Sequence, residues 1–145
     1  MQTAPLTIEQ TLEKHGKYVC PIVGVSMLPL LKEEQDSVVI EPKNTRLPLY
    51  SVALFRRGEQ YVLHRVVKVE ENGYYTRGDN TYFNEYVLEE NVIGVMTGFF
   101  QGKEFVSAED QIYLKYVKKR IKSYPVRRIF VKIKAIFQKL FKKRT

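Results

Sequence analysis

Gly24-Val25-Ser26-Met27-Leu28-Pro29-Leu30-Leu31 places a serine at a corner of the chain. A β-rich run, Tyr18 to Val23, leads into it, and an apolar segment of helical character follows. Pro29 suits the first turn of such a helix, where a missing N–H costs nothing. Gly24 frees the backbone to turn just before the serine. The Ser26 hydroxyl then projects from a tight corner, with the N–H groups of the helix start directed toward it. That setting suits a nucleophile whose intermediate carries negative charge.

Upstream of this corner, Thr7-Ile8-Glu9-Gln10 is a capping box and predicts a helix to about His15, stopped at Gly16. Downstream, short strands are expected at Ser37 to Glu41, Leu49 to Arg56, Tyr61 to Glu70, Tyr74 to Arg77, Asn91 to Phe100 and Glu104 to Val106. Glu71-Asn72-Gly73 and Gln101-Gly102-Lys103 supply the turns. The expected class is mainly β, a coiled barrel or sandwich. From Gln111 the pattern becomes helical, with a break expected at Pro125. The chain therefore divides into an N-terminal helix over 1–16, a β domain over 17–108 and a basic amphipathic helical tail over 109–145.

The 145 residues suit one domain with an appendage. No uncharged apolar run is long enough to span a bilayer, and Met1 to Lys17, with Glu9 and Glu13, does not read as a signal peptide. The single cysteine, Cys20, excludes an internal disulfide, and the expected address is cytoplasmic. The net charge of +8 is unevenly spread. Residues 111–145 hold 13 Lys and Arg and no Asp or Glu, leaving 11 basic against 16 acidic residues before them. A mildly acidic body with a strongly basic tail implies an anionic surface as the tail's partner, a membrane or a nucleic acid.

A serine nucleophile needs a base within hydrogen-bond reach. Of the two histidines, His15 reads as a cation at a helix C-terminus. His64 lies in Tyr61-Val62-Leu63-His64-Arg65-Val66-Val67, sharing a strand face with Val62 and Val66, while Leu63, Arg65 and Val67 take the other. A histidine among inward-facing apolar residues is either hydrogen-bonded core or functional. Among the acids, Asp79 in Gly78-Asp79-Asn80 has the plain role of a turn former, Asp36 that of a cap before a strand, and Glu85 follows the Asp79 turn.

Taken together, Gly24-Val25-Ser26-Met27-Leu28-Pro29, Asp36-Ser37-Val38-Val39, Leu63-His64-Arg65-Val66, Gly78-Asp79-Asn80 and Val92-Ile93-Gly94-Val95 resemble, in order and separation, the type I signal peptidase superfamily, which also holds LexA-like self-cleaving repressors. The resemblance covers about residues 17–98. It implies the catalytic fold of that superfamily, with Ser26 as nucleophile. His64 stands where bacterial signal peptidases carry a lysine base, as in the endoplasmic-reticulum and archaeal branch. The resemblance further implies Asp79 as the residue orienting His64, with Glu85 open for the same role. It needs no metal and no cofactor. The chain departs from the family pattern at Gly24, often a hydroxyl residue, at Tyr50-Ser51, commonly Gly-Asp, and in its polar N-terminus, where an anchor is usual.

The resemblance implies cleavage of an extended peptide, such as a leader or signal sequence, after a small residue. A second expectation is a non-catalytic or LexA-like regulatory module, although no helix-turn-helix precedes the body. In the tail, Ile129, Phe130, Ile133, Ile136, Phe137, Leu140 and Phe141 form one helical stripe with lysines and arginines around it. That stripe either packs on the body or lies in an anionic membrane surface over 126–143, at the inner face. Nucleic acid is the weaker alternative, since no base-reading motif accompanies the charge.

Overall fold

Apolar residues at consecutive positions, as in Val52-Ala53-Leu54-Phe55, give a pleated strand two apolar faces, and both faces of this sheet are buried. The structure, a computed structural model, describes residues 4–143. Residues 1–3 and 144–145 of the expected terminal segments lie outside the described residues. After α1 (Ile8–His15) come β1 (Tyr18–Pro21), β2 (Ser37–Pro42), β3 (Val52–Arg57), β4 (Gln60–Val69), β5 (Gly73–Arg77), β6 (Glu85–Leu88), β7 (Val92–Gln101) and β8 (Glu104–Ser107). The chain ends in α2 (Gln111–Lys142). The expected mainly β class with helical ends is present. All strand pairings are antiparallel, in the order β1-β2-β7-β3-β4-β5-β6, with β8 also on β7. No pairing among the described residues joins β1 to β6, so hydrogen bonds do not close the sheet into a barrel.

Two cores cover the two faces. On one face Val38, Ile40, Val52, Leu54, Met96 and Phe99 pack with Leu12 of α1, with Met27, Leu30 and Leu31 of the serine turn, and with Tyr113 and Val117 of α2. On the other, Ala53, Phe55, Val66, Tyr74, Val87 and Val92 pack with Leu47. The capping box on α1 forms as expected, and Gly16 closes the helix at φ 72°. Glu9 of this helix ion-pairs with Arg56 and accepts a hydrogen bond from Tyr61 Oη at 2.7 Å, tying α1 to the β3–β4 hairpin.

Three local expectations are corrected. The segment after Ser26 forms turns rather than a helix: Leu28 N–H donates to Val25 at 3.2 Å and Leu31 N–H to Met27 at 3.0 Å, and the Leu28–Pro29 peptide is cis. A residue before proline is disfavoured in the helical region, and that outweighs the favourable position of Pro29. Strand β6 is an addition to the expected strands: at four residues on the sheet edge, it is too short for its alternation to stand out in the sequence. Pro125 does not end the helix, which runs through it. In the turn before the proline, Ser123 Oγ and Arg127 Nη2 both donate to the Arg120 carbonyl, at 3.2 and 2.8 Å. The boundary expected at residue 109 also shifts in meaning, because the first half of α2 belongs to the body's core.

Strand β7 runs between β2 on one side and β3, then β8, on the other. Gly94 sits where these backbones crowd: a Cβ there would stand 2.6 Å from the Glu41 carbonyl oxygen and 2.6 Å from Ile40 Cγ2. Gly94→Val should therefore lower stability by about 2–3 kcal/mol, read as a lower urea midpoint at unchanged slope.

Candidate active site

The corner that carries Ser26 is held from below by the Gly78-Asp79-Asn80 turn. Asn80 N–H donates to the Ser26 carbonyl at 2.8 Å, and Asn80 Nδ2 to the Val25 carbonyl at 3.1 Å. Gly24, at φ 84°, makes the bend that brings the chain there. Gly78 lies directly under the serine: a Cβ on Gly78 would stand 2.6 Å from the Ser26 carbonyl oxygen and 3.1 Å from Ser26 Cβ. Glycine is required here by close approach, since Ser26 fills the room a side chain would use.

The register of β4 and β5 relates this corner to His64. Arg65 pairs with Arg77, so one residue further along the two chains sets Gly78 opposite His64. Side chains directly opposite on antiparallel strands share a face, with Cβ atoms roughly 5 Å apart. Ser26 takes the side-chain place of Gly78, so the same register, continued by that one pair, would set the Ser26 corner on the His64 face. Among the described residues no hydrogen bond joins the two side chains.

His64 is buried, its ring edge-on to Phe55 at 6.0 Å between centroids, and its Nδ1 is buried without a hydrogen-bond partner. Burial holds its pKa below the ordinary 6.5; the charge of Arg57 acts in the same direction, while Glu85 and, more weakly, Asp79 oppose it. Burial therefore favours the neutral imidazole.

Asp79 does not orient His64. Its carboxylate is taken by Arg65, with Nε to Oδ1 and Nη2 to Oδ2 both 2.8 Å, and by the Tyr116 hydroxyl, 2.9 Å from Oδ2. The reason is strand alternation: His64 and Arg65 are neighbours on β4 and point to opposite faces, and Asp79 meets Arg65 on the face of Leu63, Tyr113 and α2. Glu85 lies on the other face. It pairs with Thr76, which pairs with Val66, which shares the His64 face. The open choice between the two acids thus resolves by face, with Glu85 as the carboxylate on His64's side. Its oxygens are bonded by Arg57, which holds its pKa below the usual carboxylate range despite partial burial.

Arg65 and Asp79 are the centre of a buried polar network, with side chains only 1% and 3% exposed. Arg65 Nη1 donates to the Tyr50 carbonyl at 2.9 Å and to Tyr113 Oη at 3.1 Å. Burial opposes the Arg65 charge, but the bonds and charge of Asp79 outweigh it and the pKa is raised. Burial first, then Asp79, also raises the Tyr116 pKa, so its hydroxyl stays a donor. Arg120 Nε donates to the Asp79 carbonyl at 3.0 Å, clamping the turn from α2. Tyr50, where the resembled pattern has glycine, adopts φ 72°, a conformation uncommon for a bulky side chain.

Sequence reasoning missed this network. A signal was present: Arg65 on an apolar strand face needs a buried anion, and Asp79 was available. Asp36 is structural as expected, accepting from Lys32 N–H at 2.8 Å and Gly102 N–H at 2.9 Å, and His15 closes the last turn of α1. No group of three or more metal-ligating side chains converges among the described residues. No protein-family model, curated protein or solved structure matches the chain.

Asp79→Asn leaves the Arg65 charge buried against a neutral amide. It should lower stability by about 3 kcal/mol, measured by urea unfolding. Tyr116→Phe, which keeps the ion pair, should lower it by about 1 kcal/mol.

Proposed function

We propose that the β domain is a serine endopeptidase of the signal-peptidase type, with Ser26 as nucleophile and His64 as general base. What supports this reading is the seating of Ser26 over Gly78, at the end of the β4–β5 ladder that carries the buried His64. His64 takes the Ser26 proton as the hydroxyl attacks the scissile carbonyl, then returns it to the leaving amine. Water, activated by the same imidazole, hydrolyses the acyl-enzyme. Asp79 is a positioning residue: through Asn80 and Gly78 its turn holds the serine, while Arg65 and Tyr116 hold Asp79. Glu85 biases the charge on His64 from the same sheet face.

The substrate is an extended peptide cut after a small residue, as the signal-peptidase resemblance implies. β1 supports that mode, because it ends the strand order and leads straight into the Ser26 turn. Val19, Val23 and Val25 along this edge are exposed, as suits side chains that meet a strand-like ligand.

Ser26→Ala should abolish both cleavage of a small-residue peptide library and fluorophosphonate labelling, while unfolding as the parent does. Labelling that persists would assign a different nucleophile. A Ser26 that never labels and cleaves nothing would leave a binding module instead. The pH dependence follows from His64. The base works when neutral, and burial sets its pKa below 6.5, so kcat/KM should rise with pH through an ionisation below 6.5 and stay level at neutral pH. Glu85 favours the imidazolium, so Glu85→Gln should move this acid limb to still lower pH, and by more than any shift from Asp79→Asn.

A further inference from the structure

Helix α2 carries two apolar faces that do not line up. From Tyr113 to Arg127 the face turned to the body carries Tyr113, Tyr116, Val117 and Arg120. Beyond Pro125 most apolar side chains from Val126 to Phe141 fall on another stripe, with Val131 and Ala135 outside it. At 3.6 residues per turn this stripe is about 140° wide and is rotated roughly 140° from the body-facing side. Its eight members, Val126, Ile129, Phe130, Ile133, Ile136, Phe137, Leu140 and Phe141, are 44–68% exposed. Of the two readings of the tail, packing of the stripe on the body does not hold for this half of the helix. From Arg128 onward every described residue of α2 is exposed, Val131 on the body-facing side included, so the body does not reach this half of the helix.

Charge identifies the occupant. Arg128, Lys132, Lys134, Lys139 and Lys143 lie outside the stripe, and no acidic residue occurs from Gln111 onward. A second copy laid along the stripe would bring two wholly cationic helices within a Debye length of each other. A nucleic acid would take the cations and leave the phenylalanines and isoleucines in water. No helix among the described residues is long and apolar enough to cross a membrane. One surface satisfies both the cations and the apolar stripe.

We propose that residues 126–143 of α2 lie flat in the surface of an anionic lipid bilayer, with the stripe among the acyl chains and the basic side chains at the headgroups. The segment is roughly 27 Å long at 1.5 Å per residue. The same helix clamps the Asp79 turn through Arg120, about 15 Å along its axis from Phe130, so the docking segment and the body share one continuous helix. The proposal stands on α2 alone and does not require Ser26 chemistry.

The full chain should float with vesicles of phosphatidylcholine mixed with phosphatidylglycerol, binding them at least about tenfold more tightly than phosphatidylcholine alone, and high salt should weaken this. Phe130→Asp with Phe137→Asp should abolish flotation. Because both side chains are exposed, the lipid-free circular dichroism and thermal midpoint should stay as in the parent. Ser26→Ala should float like the parent, which separates this test from the peptidase reading. Equal binding to neutral vesicles, or unchanged flotation of the double Asp variant, would overturn the proposal. So would a lipid-independent dimer that this variant dissociates, or RNA binding without vesicle binding.

Discussion

Two charges that cannot reach water must reach each other, and the Arg65–Asp79 pair imposes that condition on much of the molecule. Buried ions are costly to desolvate, and a fork-to-fork geometry with further hydrogen bonds to Tyr50, Tyr113 and Tyr116 makes the burial tolerable. Arg65 comes from the middle of β4, Asp79 from the turn after β5, Tyr113 and Tyr116 from α2, and the Tyr50 carbonyl from the loop before β3. Four separate segments are therefore fixed around one guanidinium–carboxylate contact. The value of such a pair lies less in net stability than in excluding other arrangements, since any shift of one segment strands a charge.

The candidate site inherits its shape from that constraint. Once Asp79 is locked, Gly78 and Asn80 on either side of it have fixed places, and Ser26 is seated on both. One strand, β4, serves both ends of the arrangement. Arg65 faces the network that holds the serine turn, and His64 faces the side of Phe55 and Glu85, where burial lowers its pKa. Adjacent residues on a pleated strand are thus divided between holding the site and forming it. Helix α2 repeats this division lengthwise, its first half bracing the body and its second half turning a different face outward.

Much of this was legible along the chain. The capping box of α1, the Glu71-Asn72-Gly73 turn and most strands follow from local chemistry that needs no distant partner. The His64 face was also readable from alternation alone. The roles of Asp79 and Glu85 were not, because motif order says nothing about which face of the sheet a turn residue ends on. Alternation put Arg65 opposite His64, and only its need for an anion could have hinted that Asp79 was spoken for. Pro125 misled because its local penalty, though real, does not end the helix here; side chains of Ser123 and Arg127 add hydrogen bonds to the Arg120 carbonyl in the preceding turn.

The amino-acid sequence by itself determined the mainly β class, the serine corner, the buried histidine strand and the split between an acidic body and a basic tail, since each rests on periodicity, turn chemistry or charge within a short window. Only the tertiary structure decided that the sheet stays open, that Asp79 pairs with Arg65 while Glu85 shares the His64 face, and that the second half of α2 leaves its apolar stripe uncovered. Those outcomes depend on strand register and on helix phase across a proline, quantities that accumulate over many residues and are resolved only when distant segments meet.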